Sequence, residues 1–140
     1  MHRRWRDGAA TLRTPQADVP LRVAASYRAR TRGLLGADGV EGALLLTPAS
    51  SVHTVRMRFA IDVAYLDRRL RVLAVRTMSP GRVGRPRLLA RHVLEAEAGA
   101  FARWGVRRGV RVEVVAENGT GTEGGAGDGA GAGAERRKMS

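Results

Sequence analysis

The sequence contains no cysteine and few aromatic residues, and both shortages narrow its chemistry. Without cysteine the chain has no disulfide, no thiolate metal ligand and no cysteine nucleophile. Its three histidines, His2, His53 and His92, lie far apart, so no short-range metal motif exists and we predict neither a metal nor a cofactor. Aromatics make up 4% of the chain, so the core is expected to consist of Val, Leu, Ala and Met.

Long hydrophobic runs are also missing. The longest strongly apolar run is residues 43–46, far short of the roughly 20 residues that a transmembrane helix needs. The N-terminal segment carries the positive charge of a signal peptide, but no apolar stretch of the required length follows it. We therefore predict no membrane span and expect a cytoplasmic protein.

Lysine is nearly absent, whereas arginine is abundant. The net charge is +12, and residues 21–115 hold 18 arginines against seven acids, so +11 falls on that part of the chain. This charge favours an acidic protein or a small anionic ligand as partner. The arginines are scattered among few aromatics, which also fits the use of arginine at ordinary surface positions. Specific nucleic-acid binding is therefore not predicted, and weak charge-driven binding is kept as an alternative.

The composition predicts one domain with two poorly structured ends. Residues 117–140 are rich in Gly and Ala and hold no large apolar side chain before the end of the low-complexity run, so burial cannot offset the entropy of ordering. Residues 1–18 show no sustained periodicity and are expected to be poorly ordered. The domain itself is predicted to span residues 19–116.

Short apolar runs bounded by turn residues indicate a mainly β fold of the α+β class. We predict a single compact antiparallel β-roll or barrel-like domain with two short helices. The predicted strands are residues 21–25, 42–46, 70–76, 91–95 and 110–115. The predicted helices are residues 27–35, with Ser26 as N-cap, and residues 98–104, ended by Gly105.

The most regular pattern runs through residues 55–66, where apolar and mainly polar residues alternate. Alternation of this kind places one face of a strand on a core and the other face elsewhere. The apolar set includes Met57, Phe59 and Ile61. Twelve extended residues exceed the usual strand length in a small domain, so we expect a bulge or bend between Arg58 and Asp62. Residues 67–69 are the predicted turn into the next strand.

Several segments, taken in order, resemble the DUF192 family. These are residues 30–36 (RTRGLLG), 42–46, 51–67, 93–95 with 98–99, and the turn at 105–109. The similarity covers about residues 21–115. It implies a compact β-rich domain and no particular activity.

The chain departs from the family pattern at three places. Arg56 stands where an aromatic residue or Gly is usual, and Ala60 stands where Pro is common. Gly is frequent in the hairpin turn where this chain has Arg69 and Leu70. The arginine at position 56 weakens any inference about a ligand contact that relatives make with that face.

One acid–base pair stands out, His53 with Asp62. An imidazole tuned by a carboxylate can act as a general base, so a small hydrolase-like enzyme is an alternative hypothesis. Strand alternation places the two residues on opposite faces unless a bend brings them together. The competing interpretation is structural, with His53 at the sheet edge and Asp62 paired to Arg58 or Arg30. No nucleophile elbow, phosphate loop or dinucleotide fingerprint is present.

Arginines near the predicted first helix and the long strand form the other candidate site, and they are Arg30, Arg32, Arg56 and Arg58. Guanidinium groups accept carboxylates or phosphates through a planar fork. The structural alternative pairs Arg30 with Asp62 or Glu95. The basic loop at residues 80–87 also suits contact with a partner.

The leading hypothesis is a non-enzymatic binding or accessory domain with an arginine-lined, anion-accepting face. It rests on the +11 charge of a compact domain without a recognisable catalytic constellation. Structural roles, in packing or buried ion pairs, are expected for Gly33, Met57, Phe59, Ile61, Glu95 and Trp104.

Overall fold

A computed structural model describes residues 5–26, 42–51 and 59–116 of the chain. Within these ranges lie seven strands and one helix, joined by short loops. The strands are β1 (Gly8–Arg13), β2 (Asp18–Ala24), β3 (Ala43–Leu46), β4 (Ile61–Leu66), β5 (Val72–Met78), β6 (His92–Glu97) and β7 (Glu113–Ala116). The helix, α1, is Ala100–Trp104. Six of the strands overlap predicted ones, and β1 is the exception, which confirms a mainly β fold.

All seven strands form one sheet, in the order β5-β4-β6-β3-β2-β1-β7. The sheet is mixed, because β2 and β3 run parallel while the other neighbours are antiparallel. A parallel pair needs a long crossover, and residues 25–42 separate these two strands. The predicted antiparallel roll or barrel is therefore corrected to an open mixed sheet. Its edge strands, β5 and β7, approach at one corner through a bridge between Arg71 and Arg111.

The structure corrects the prediction for residues 8–13, where no strand was expected. β1 pairs antiparallel with β2 on one side and with β7 on the other. Ala10 and Leu12 face the core, and Leu12 is fully buried. The sequence signal for this strand is weak because only two apolar residues mark it. Its pairing with β7, at the other end of the domain sequence, is not visible in a local pattern.

The predicted turn at residues 67–69 is confirmed and joins β4 to β5 in a hairpin. The Asp67 carboxylate accepts hydrogen bonds from the backbone N–H groups of Arg69 (2.8 Å) and Arg71 (3.0 Å). Such a side chain can support a turn without glycine. Leu70 has φ 68°, the left-handed region that favours glycine. Its burial in the core supports this conformation.

Both faces of β4 are buried, which corrects the polar face predicted for residues 55–66. In the described part of that segment, β4 starts at Ile61 and a bend lies at Phe59. Ile61, Val63 and Tyr65 join one apolar cluster, whereas Ala64 and Leu66 join the other. β4 lies inside the sheet between β5 and β6. When an interior strand is covered on both faces, the residues of both faces are buried. The alternating pattern therefore predicted an exposed face that β4 does not have.

The described helix covers one of these two faces. Ala100 and Phe101 of α1 are buried in the cluster that contains Leu12 and Leu94. The helix ends at Gly105, as predicted, with φ 77°. A side chain at Gly105 would meet Pro15 and Gln16, so close packing also requires glycine there.

The first predicted helix, at residues 27–35, lies outside the described residues, as do residues 117–140. Among the described residues, no helix is long and apolar enough to cross a membrane.

Candidate functional site

Most of the side chains predicted to act in binding or catalysis lie outside the described residues. They are His53, Arg30, Arg32, Arg56 and Arg58, together with the predicted structural residues Gly33 and Met57. Their roles stay predictions. Asp62, Phe59, Ile61, Glu95 and Trp104 are described.

Asp62 lies on β4 and is buried, with both carboxylate oxygens occupied by hydrogen bonds. Oδ1 accepts from the Thr77 hydroxyl at 2.7 Å. Oδ2 accepts from the backbone N–H groups of Gly99 (3.0 Å) and Phe101 (3.1 Å), where the chain enters α1. These donors differ from the arginine partners considered in the sequence. The carboxylate therefore holds the start of α1 against the sheet, an arrangement that favours a structural role.

Glu95 lies on β6 and is buried on the opposite face from Asp62. Its cross-strand neighbours are Val63 and Leu44, both apolar and buried. None of the described residues forms an ion pair or hydrogen bond with its carboxyl group. Burial raises the pKa of Glu95 from 4.5 to about 7. The ion pair considered for Glu95 is therefore not formed by the described part of the chain.

The three other predicted structural residues all contact the core. Ile61 is buried, and Phe59 is half-buried against the same cluster. Trp104 is half-buried, with its ring centroid 5.9 Å from that of Phe101. These positions fit packing roles.

His92 and Thr47 form a buried polar contact that the sequence analysis did not single out. Their Nδ1 and Oγ1 atoms are 2.7 Å apart, and both residues are buried. The ring of Trp5 lies edge-on to His92, with 5.2 Å between ring centroids. Because Thr47 is only 1% exposed, its hydroxyl is shielded from solutes. The contact fits a structural role at the end of β3 better than a nucleophile.

The most distinctive surface feature is a cavity of about 770 Å³ between the end of β5 and the loop that follows it. We call it the loop cavity. Its ionisable and ring side chains are Tyr65, Arg76, Arg82, Arg85 and Arg87. Its size is in the range of small-molecule sites. Among the described residues, no Asp or Glu lines it. Four guanidinium groups without a lining carboxylate create a region that attracts anions.

Arg87 occupies a defined position in the loop cavity. Its guanidinium carbon lies 4.8 Å from the centroid of the Tyr65 ring, a cation–π contact. Its Nε atom is buried and has no hydrogen-bond partner among the described residues. A buried donor without an acceptor is costly, so the position of this guanidinium is set by its packing on Tyr65 and not by a hydrogen bond to Nε.

The loop that carries these arginines is fastened to the rest of the domain. The Arg87 N–H donates to the Ser50 carbonyl at 2.9 Å, and the Arg91 N–H donates to the Leu66 carbonyl at 2.8 Å. The Ala49 N–H donates to the Arg91 carbonyl at 2.9 Å. The end of the loop that carries Arg87 is therefore held against the rest of the domain.

The sequence pointed to part of this site. The basic loop at residues 80–87 was singled out as a partner-contacting segment, and it supplies Arg82, Arg85 and Arg87. The contribution of Arg76 was not expected, because it comes from the edge strand β5. The floor residue Tyr65 lies on β4, and only the folded hairpin brings it beneath the loop.

A second cavity, of about 720 Å³, lies at the corner where β1 and β7 meet. We call it the corner cavity. It also contains arginines, Arg13, Arg69 and Arg111, but Asp18 and Glu113 line it as well. The Arg13 guanidinium lies 3.9 Å from each of these carboxylates. Two acids therefore accompany the three arginines of the corner cavity, and both of them lie beside Arg13. No group of His, Cys, Asp or Glu residues suited to a metal ion occurs in the described ranges.

The fold and the cavities define a small β-sheet domain with an arginine-rich pocket. Residues 10–114 match the model of the DUF192 family, described as an uncharacterised ACR. The chain belongs to this family, as the sequence resemblance predicted. A search of curated proteins gave no significant match.

Two crystal structures share the fold. A protein from Sinorhizobium meliloti 1021, described as a candidate transcription regulator, matches with a TM-score of 0.65 at 18% identity, over 79% of this chain and 95% of that one. A protein of unknown function from Novosphingobium aromaticivorans matches with a TM-score of 0.61 at 16% identity, over 81% of this chain and 93% of that one. At such identities the similarity concerns the fold alone.

Proposed function

We propose that this chain is a small non-enzymatic binding domain that accepts anionic ligands in the loop cavity. The observation that carries the proposal is the set of four arginines around one cavity that no described carboxylate lines. Arginines at a structural site are usually balanced by acids, as Arg13 is in the corner cavity. In the loop cavity, an anionic ligand would add negative charge beside Arg76, Arg85 and Arg87.

The geometry favours a phosphate or carboxylate group over a diffuse polyanion. The Arg87 guanidinium has a defined position, because it rests on the Tyr65 ring. Arginine forks bind planar or tetrahedral oxyanions through paired hydrogen bonds. Arg76 and Arg85 add charge from the strand and from the loop.

The proposal is tested by thermal unfolding of the full chain in phosphate, pyrophosphate or sulfate, each compared with chloride at equal ionic strength. We expect the oxyanions to raise the unfolding temperature, because a ligand that binds only the folded state stabilises it. The double variant Arg76→Gln/Arg85→Gln should lose most of this shift. Absence of any oxyanion effect in the unmodified protein would contradict the proposal.

Two further variants separate binding in the cavity from a general charge effect. Arg107→Gln/Arg108→Gln removes the same charge from an exposed turn outside the cavity, so it should keep the oxyanion shift. Arg87→Lys keeps the charge but lacks the planar fork, so it should weaken binding. Equal losses in the two double variants that remove charge, with no loss in Arg87→Lys, would indicate a nonspecific charge effect.

Charge-driven nucleic-acid binding is the second candidate, and the +11 charge of residues 21–115 favours it. The fold that this chain shares with a candidate transcription regulator is compatible with it but does not support it at 18% identity. Electrostatic binding of nucleic acid is strongest at low salt. A mobility-shift assay at low ionic strength that shows no complex with duplex or single strands would remove this candidate.

A further inference from the structure

The tip of the loop carries two adjacent leucines in water. The Ala90 N–H donates to the Arg87 carbonyl at 3.0 Å and closes a turn with Leu88 and Leu89 at its centre. Leu88 is 91% exposed and Leu89 is 71% exposed. The centre of a turn usually holds Gly, Asn, Asp, Ser or Pro. Two leucines at such a position expose apolar surface that does not pack against the core.

Exposed apolar surface is concentrated in this loop. Four large hydrophobic side chains are exposed among the described residues, and Val83, Leu88 and Leu89 are three of them. The fourth, Val115, lies on the edge strand β7 and is 37% exposed. Grouped exposed apolar residues mark an interaction surface, whereas scattered ones do not.

The charges around the leucines narrow the choice of partner. Arg85, Arg87 and Arg91 lie within a few residues of the tip, and the nearest acidic residue in sequence on the C-terminal side is Glu95, which is buried. A partner must therefore offer both negative charge and an apolar interior. Anionic phospholipid bilayers offer both, with phosphates at the level of the arginines and acyl chains below them.

The shape of the surface favours a bilayer over an acidic protein. Leu88 projects from a turn, so a protein partner would need a matching concave pocket for the tip. A fluid bilayer opens around a projecting side chain without a preformed pocket. The loop base is fastened to residues 49–50 and to Leu66, so the tip is presented from a supported position.

We propose that the loop at residues 79–91 is a docking surface for anionic membranes, with Leu88 and Leu89 entering the interface and the loop cavity binding a lipid phosphate. This inference rests on the proposed anion-binding function of the loop cavity. It names the source of the anion as a phospholipid headgroup.

The test is sedimentation of the full chain with phosphatidylcholine vesicles, with and without phosphatidylglycerol. We expect binding only to vesicles that contain phosphatidylglycerol. The double variant Leu88→Ser/Leu89→Ser should reduce partitioning at least about tenfold, because two apolar side chains no longer enter the interface. It should leave the thermal shift by soluble pyrophosphate unchanged, since neither leucine lines the cavity. Arg107→Gln/Arg108→Gln is the charge-matched control and should retain most of the vesicle binding.

The outcomes distinguish failure of this inference from failure of the proposed function. Stabilisation by pyrophosphate without vesicle binding would overturn the membrane inference and leave the anion site intact. Vesicle binding that is equal in the leucine variant would also overturn it, since charge alone would then suffice. A leucine-dependent complex with polyglutamate, without vesicle binding, would replace the membrane with an acidic protein. If neither soluble oxyanions nor anionic vesicles bind, both proposals fail.

Discussion

The two cavities of this domain have almost the same volume, but they differ in the acidic residues that accompany their arginines. In the corner cavity, Asp18 and Glu113 flank Arg13 and balance it. In the loop cavity, four arginines face one another without a lining carboxylate among the described residues. Internal balance suits a surface that only has to stay folded and soluble. The proposed function assigns an anionic ligand to the loop cavity, because a concentration of positive charge attracts anions.

The same contrast appears inside the sheet, between two buried carboxyl groups. Asp62 receives three hydrogen bonds on the face covered by α1. Glu95 lies on the other face between apolar neighbours and receives none from the described residues. The first carboxylate organises the fold, whereas the second reduces stability whenever it is ionised.

The largest expected effect comes from removing the satisfied carboxylate. Asp62→Ala leaves the Gly99 and Phe101 amides without their acceptor at a buried site. We expect a loss of on the order of 4 kcal/mol in the free energy of unfolding, measured by urea denaturation. Thr77→Val removes only one of the three hydrogen bonds and should cost about 1 kcal/mol. Equal, small losses in both variants would show that Asp62 does not anchor α1.

The next effect concerns the unsatisfied carboxyl group and its pH dependence. The pKa of Glu95 is raised from 4.5 to about 7 by burial, so the folded state binds a proton more tightly than the unfolded state. Its contribution to stability is therefore present below pH 4.5 and is lost as the pH rises to about 7. Relative to Glu95→Gln, the unmodified protein should lose roughly 3 kcal/mol over this window.

The control for this titration is Glu97→Gln, because Glu97 lies on the same strand but is exposed and pairs with Arg103 at 3.3 Å. This variant keeps Glu95, so the loss of stability between pH 4.5 and about 7 should remain in it. A Glu95→Gln profile that is parallel to the unmodified one between pH 4.5 and 7 would show that Glu95 titrates normally.

The smallest effect tests whether charge balance alone separates the two cavities. Asp18→Asn/Glu113→Gln removes both acids that flank Arg13. Because these ion pairs are long and exposed, the unfolding free energy should change by less than about 1 kcal/mol. The variant should nevertheless gain a second, weaker stabilisation by pyrophosphate. Adding Arg13→Gln to this variant should abolish the gain. If the double variant shows no stabilisation by pyrophosphate at the corner cavity, then anion binding in the loop cavity depends on its geometry as well as on its charge.

Much of the fold could be predicted from local sequence signals. The hairpin turn followed from residues 67–69 between two apolar runs, and the end of α1 followed from Gly105. β1 could not be found in this way, because its partner β7 lies about a hundred residues later in the chain. The parallel alignment of β2 and β3 was missed for a similar reason, since nothing local encodes the direction of a crossover.

Prediction of the site was more limited. The basic loop was identified because charge and turn residues are visible in one segment. The stacking of Arg87 on Tyr65 was not, since these residues are far apart in sequence and meet only when β4 and the loop are packed together. Asp62 was interpreted as an ionic partner because sequence shows charges but not backbone amides. The donors that it binds are mainly amides at the start of α1.

The sequence by itself determined the composition of the core, the positive charge, the turns and the family. These properties depend on single residues or on short runs of residues, so they can be identified from the sequence without a structure. Only the tertiary structure decided which charges are balanced and which are left facing a cavity. That outcome depends on distances between strands that are remote in the chain, and neither periodicity nor composition records those distances.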